Sequence, residues 1–339
     1  MTAAVEWWDR RQVPLYVAAI ILGGVAGVVA PDIAPALSTA INPVLALLLF
    51  ATFLGVPLIE VGRSFRDLRF LGTVLLVNFV IVPPVAFGLS RFVVDDRGLL
   101  LGVLLVLLTP CVDYVIVFTG LAGGAKARLL AAAPLLMLLQ IVLLPLYLLL
   151  FAGRDAVGLI DIEPFVVAFV VLIVAPLGAA AIVQALARRH RVGRTIESVF
   201  AGAMVPLMML TLAVVIGSQI ALVGSEAVAL LRVVPLYVGF LAVMLVVGLA
   251  AGRAARLDVP ARRAVIFTGS TRNSLVVLPL ALALPTSLAL APLAVVTQTL
   301  VELIGMVIFV RLVPRLTRAA SSGTPHPART SRPRREGAA

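Results

Sequence analysis

Thr109-Pro110-Cys111-Val112-Asp113-Tyr114 and Thr268-Gly269-Ser270-Thr271-Arg272-Asn273 each interrupt an otherwise apolar stretch, one in each half of the chain. Pro110 removes a backbone donor and Gly269 tolerates dihedrals that other residues avoid, so both stretches are expected to unwind a helix there. Between them they carry the only cysteine, an aspartate and an arginine, and the two charges are costly in lipid. Unwound backbone at membrane depth is tolerated only where protein or a water-lined cavity covers it. Two interrupted segments at corresponding positions are the sequence sign of a carrier's midplane binding site.

Working outward, apolar stretches recur along nearly all of the 339 residues; 62% are hydrophobic and 13% charged, with mean hydropathy +1.16. That composition excludes a soluble domain and predicts an all-α polytopic membrane protein. Ten transmembrane helices fit, at 15–30, 41–59, 70–92, 99–121, 129–152, 165–187, 199–223, 232–252, 262–285 and 291–313. Trp7, Trp8, Arg10 and Arg11 precede the first, which is expected to be retained with an interfacial tryptophan pair and not cleaved as a signal peptide.

The net charge of +11 follows topology. With both termini in the cytoplasm, 22 of the 27 basic residues fall in inside segments. Only Arg91, Arg97, Arg154 and Arg232 fall outside, and Arg272 lies within a span. The positive-inside rule accounts for the basic pI, and no nucleic-acid partner is needed. A cell-membrane location, inner or plasma, is expected. The stretch 316–339, rich in Pro and Arg, is expected to be a disordered basic cytoplasmic tail.

The two halves resemble each other. Ala133-Pro134 followed by Gln140 matches Ala291-Pro292 followed by Gln298, and Asn42-Pro43 corresponds to Val205-Pro206. Thr109 aligns with Thr268, which sets Asp113 against Arg272. Five spans per unit is an odd number, so 1–153 and 160–315 are expected to be two inverted five-helix repeats with broken helices 4 and 9 crossing at the midplane.

Thr109-Pro110-Cys111, Phe118-Thr119-Gly120-Leu121-Ala122-Gly123-Gly124, Phe267-Thr268-Gly269-Ser270 and Leu300-Val301-Glu302-Leu303 together resemble the bile acid:sodium symporter superfamily, closest to its arsenite-efflux branch. The resemblance covers residues 12–315. It implies arsenite exchanged for protons, with Cys111 and Glu302 at the branch's cysteine and glutamate positions. The chain departs from the branch at Val112-Asp113-Tyr114 and at Arg272-Asn273, where small or polar residues and an Asn pair are usual.

These residues fit the implied chemistry. A thiol is a soft ligand and trivalent arsenic and antimony are thiophilic, so Cys111 is expected to bind the cargo, helped by Ser270, Thr271 and Asn273. A mid-span carboxyl such as Glu302 can exchange a proton, and Gln298 stands one turn before it on the same face. Asp113 is expected to share in proton coupling and to form a charge pair with Arg272, with Pro110 and Gly269 as the helix breaks. A guanidinium at the crossing would repel Na⁺, which argues against sodium coupling. The alternative is an organic-anion carrier in which Arg272 binds a substrate carboxylate. No Walker loop, HExxH or Cys/His cluster appears, so neither catalysis nor a cofactor is expected.

Overall fold

Helices carry the regular structure of the described residues, which in this computed structural model are 7–8, 11–55, 67–112, 114–153, 167 and 169–317. In chain order they are α1 (Gln12–Val29), α2 (Ala34–Gly55), α3 (Leu68–Leu76), α4 (Val82–Ser90), α5 (Arg97–Leu107), α6 (Tyr114–Leu121), α7 (Lys126–Ala152) and α8 (Ala175–Ala187). The second half continues with α9 (Arg191–Ser225), α10 (Ala227–Leu231), α11 (Val234–Ala254), α12 (Val259–Ser270), α13 (Ser274–Leu282) and α14 (Leu290–Leu316). A π-helical turn, Val77–Ile81, joins α3 to α4. Among the described residues no strand forms beyond one isolated antiparallel bridge, Pro110 with Arg272.

Among the described residues six helices are long and apolar enough to cross a membrane: Pro31–Gly55, Leu68–Val93, Lys126–Ala152, Arg191–Ile220, Ala227–Ala254 and Leu290–Leu316. Pro14–Val29, Arg97–Leu107 and Ala175–Ala187 are apolar but shorter. The stretches 99–121 and 262–285 each hold two short helices in place of one long one. Large apolar side chains such as Ile21, Leu22, Val25, Val142, Leu146, Val246 and Ile304 lie exposed, while Arg272, Glu302, Asn78 and Gln298 are buried. Polar groups inside and apolar groups outside is the arrangement a lipid solvent selects.

The helices form two packed groups. One contains α1, α2, α8 and α9; the other contains α3–α7 and α10–α14, and contact between the groups is sparse. In the first group α1 and α9 approach to backbone contact: a Cβ on Gly23 would lie 2.5 Å from the Ala213 carbonyl oxygen, and one on Gly27 would overlap Gly217. Small residues permit this close helix crossing, which dispersion then stabilises. In the second group, aspartates open three helices. Asp67 accepts from Phe70 N at 3.1 Å, Asp96 from Leu99 N at 2.9 Å and Asp258 from Ala261 N at 3.0 Å. Each satisfies a donor that the first turn leaves without a helical partner.

One expectation is corrected here. Gly269 is not a helix break: α12 runs through it to Ser270, and the chain leaves helix only at Thr271, with φ −92° and ψ 139°. Gly269 serves packing instead, since a Cβ there would stand 2.9 Å from Val77 Cγ1. At the crossing the two interrupted segments pair antiparallel. Pro110 lies opposite Arg272, flanked by Asn273 N donating to the Thr109 carbonyl at 2.8 Å and Cys111 N to the Thr271 carbonyl at 3.3 Å. Hydrogen-bonding need sets this register, and side-chain identity does not. Thr109 and Thr271 then become counterparts, each closing its half-helix by donating to the carbonyl four residues back, at 2.8 Å in both cases. Asp113, and with it the proposed charge pair, lies outside the described residues, as does the tail from 318.

Candidate functional site

The crossing answers a backbone problem. Pro110 has no N–H and disfavours helix at Thr109, so α5 ends at Leu107 with unsatisfied carbonyls. α12 ends at Ser270 with the same deficit. The paired segments Thr109–Cys111 and Thr271–Asn273 satisfy part of it between themselves.

Arg272 satisfies most of the rest. Fully buried, its guanidinium donates through Nη2 to the Thr268 carbonyl (2.7 Å), the Gly269 carbonyl (2.8 Å) and Asn78 Oδ1 (2.8 Å). Nη1 donates to the Leu107 carbonyl at 3.3 Å. The cation thus lies at the C-terminal ends of both α5 and α12, where the helix dipoles are negative. The ring of Phe240 lies 5.4 Å from it. Asn78, on the π-helical turn, is held by its own donation to Val74 O at 3.0 Å. In the sequence its role shows only as an amide within an otherwise apolar span.

Glu302, on α14, faces the other side of the crossing. Its Oε2 accepts from the Arg272 backbone N–H at 2.7 Å and from Gln298 Nε2 at 2.5 Å. Its Oε1 lies 2.6 Å from the Tyr114 hydroxyl, which also reaches the Arg272 carbonyl at 2.8 Å. Tyr114 is the first residue of α6, and Arg272 immediately precedes the Asn273 cap of α13, so the carboxyl meets helix N-terminal ends. The spacing of four between Gln298 and Glu302 announced their contact; the part played by Tyr114 went unread, although a phenol directly after a helix break was visible.

Cys111 is fully buried, its amide paired with Thr271. Thr271 Oγ1 is committed to the Phe267 carbonyl, and Asn273 Oδ1 caps α13 by accepting from Val276 N at 3.3 Å. Ser270 Oγ, Asn273 Nδ2 and Gln298 Oε1 are buried and have no hydrogen-bond partner among the described residues. Buried polar atoms left this way are uncommon and mark places that another group completes. Gln140, which the repeat match sets against Gln298, has neither amide atom paired among the described residues.

Beside the crossing, between the two helix groups, lies a cavity of about 160 Å³. Tyr16, Thr52, Met204 and Met208 line it from one group, Val112 and Tyr114 from the other. Its surface is chiefly apolar, and Cys111 does not reach it.

The comparisons place this architecture. No curated relative matches the sequence. Residues 42–226, more than half of the chain, match a family of transporters, and this all-helical membrane protein, whose two interrupted helices meet at a pinned crossing, belongs to the sodium bile acid symporter family.

Proposed function

We propose that the protein is a secondary active transporter exporting arsenite and antimonite in exchange for protons. Ten spans in two inverted five-helix repeats, with both termini cytoplasmic and the carrier in the cell membrane, would supply alternating access. The observation that carries this reading is the shared framework of thiol and acid. Cys111 N is bonded to Thr271 O, and the next residue, Arg272, gives its N–H to Glu302. Cargo ligand and proton acceptor are therefore both tied to one short backbone pairing.

The chemistry suits transport. Sulfur is a soft donor for trivalent arsenic, and a single thiolate bond is weak enough to reverse. The Cys111 sulfur displaces one hydroxyl of the trihydroxide, which leaves as water with the thiol proton; hydrolysis returns both without redox change. Ser270 Oγ and Asn273 Nδ2 supply hydrogen bonds to the remaining hydroxyls. Because Cys111 is buried, loading requires the two helix groups to shift, and their sparse mutual contact supports such a motion.

The apolar cavity favours a second reading, an amphipathic organic anion. In that case Arg272 is poorly placed as the carboxylate receiver, since its terminal nitrogens are bonded to three carbonyls and Asn78. Everted vesicles offered arsenite, antimonite and a panel of carboxylates separate the two. Uptake of the metalloids, lost in Cys111→Ser, is the expected result; uptake of carboxylates alone would replace this reading with the second.

A further inference from the structure

The Tyr114 hydroxyl has one proton and two neighbours that want it. It stands 2.6 Å from Glu302 Oε1 and 2.8 Å from the Arg272 carbonyl oxygen. A carbonyl oxygen only accepts, and so does an ionised carboxylate. With Glu302 ionised, the single proton serves one of the two and the other is left without it. With Glu302 protonated, the accounts close: the carboxyl O–H donates to Tyr114 Oη, and Tyr114 donates to the Arg272 carbonyl. The proton belongs on Oε1, because Oε2 already accepts from the Arg272 N–H and from Gln298 Nε2.

We infer that Tyr114 is a positioning residue that transmits the protonation state of Glu302 to the unwound segment between α12 and α13. This rests on the reading of Glu302 as the proton carrier. When Glu302 is ionised, the hydroxyl turns to it and releases the Arg272 carbonyl. That carbonyl shares its peptide group with the Asn273 N–H, which donates to the Thr109 carbonyl two residues before Cys111. The protonation state of Glu302 and the backbone pairing that holds Cys111 are thereby coupled through one hydroxyl. Reciprocity follows from linkage: whatever factor protonation takes from cargo affinity, cargo takes from proton affinity.

Other groups around Glu302 do not duplicate this role. The terminal nitrogens of Arg272 are committed to Leu107, Thr268, Gly269 and Asn78, and its buried Nε has no partner among the described residues. Tyr237, from α11, donates to the Ala294 carbonyl at 2.9 Å. Cys111 lies across the backbone pairing, and Asp113 is outside the described residues. Asp96 and Glu226 line an opening with Leu290 and Leu293, on the order of 13 Å along α14 from Glu302. Arg311 lies a similar distance the other way.

The test is an infrared titration, from acid to alkaline, of the purified full-length protein in lipid, without cargo. The expected result is a protonated-carboxyl band that fades as pH rises, is missing in Glu302→Gln, and titrates together with a shift of a tyrosine C–O band. Ring-labelled tyrosine identifies that band in the wild-type protein, and Tyr114→Phe should abolish its shift while leaving the carboxyl band titrating. A merely structural Tyr114 would not track the carboxyl. A Glu302 band that titrates with no tyrosine shift overturns the relay and leaves Glu302 as the proton site. If no titrating band belongs to Glu302, the proton-exchange reading fails and the relay falls with it.

Discussion

Arg272 meets Glu302 through its backbone amide, at 2.7 Å, while its guanidinium turns away to carbonyls on two other helix ends. One residue thus does two separate jobs: the main chain positions the acid, and the side chain closes the crossing. This division means that replacing the side chain should affect folding first and chemistry second.

Arg272→Gln should lower stability on the order of 3 kcal/mol, because charged donors are withdrawn from buried carbonyls at Leu107, Thr268 and Gly269. Arg272→Lys should recover only part of it, since an ammonium lacks the planar fork. Adding Asp113→Asn to Arg272→Gln should bring no rescue, because the carbonyls remain unsatisfied. Thermal unfolding of the three purified variants checks this; a double variant as stable as wild type would mean that an Asp113 pair dominates.

Cys111→Ser should abolish metalloid transport and leave expression and thermal midpoint close to wild type. Serine preserves size but not softness. Retained arsenite export would remove the thiol from the mechanism.

Gly23→Val should weaken the α1–α9 contact by about 1–3 kcal/mol, the usual range for overpacking, because the added atoms meet the Ala213 backbone, which cannot move aside cheaply. Unfolding of the purified variant in detergent measures it. A midpoint equal to wild type would show that the two helices do not need this approach.

Asp95 offers a pH test outside the membrane-spanning segments. Arg232 donates to both of its oxygens, at 2.7 and 2.8 Å, and this hydrogen bonding holds its carboxyl below the ordinary aspartate value of 3.8. A depressed carboxylate contributes stability above its unfolded value and loses it as pH falls through the folded value. Asp95→Asn should therefore differ from wild type only modestly at neutral pH, and the difference should vanish in acid below 3.8. Both partners are exposed, so added salt should also shrink it. A difference that grows in acid would contradict the assignment.

Some of this was legible in the chain. Pro110 declares a break because a missing N–H is a covalent fact, and Gln298 and Glu302 announce their contact through a spacing of four. The Gly269 reading failed because glycine permits unwinding without requiring it; close packing against Val77 uses the same missing Cβ. The pairing of Pro110 with Arg272 was hidden, because strand register depends on which backbone groups lack partners and not on which side chains match. Asn78 and Arg272 are separated by 194 residues, so no local pattern links them. The ten spans and their inverted repeat remain a reading of the sequence, whereas six helices among the described residues stand out by length and apolarity alone.

The central claim is exchange of a metalloid for protons through Glu302, and uptake of antimonite by everted vesicles under an imposed proton gradient, with sodium replaced by choline, tests it most directly. The account predicts accumulation in wild type that is unaffected by the choline, that disappears when the gradient is collapsed, and that is missing in Glu302→Gln. Accumulation that requires sodium and persists in Glu302→Gln would contradict it.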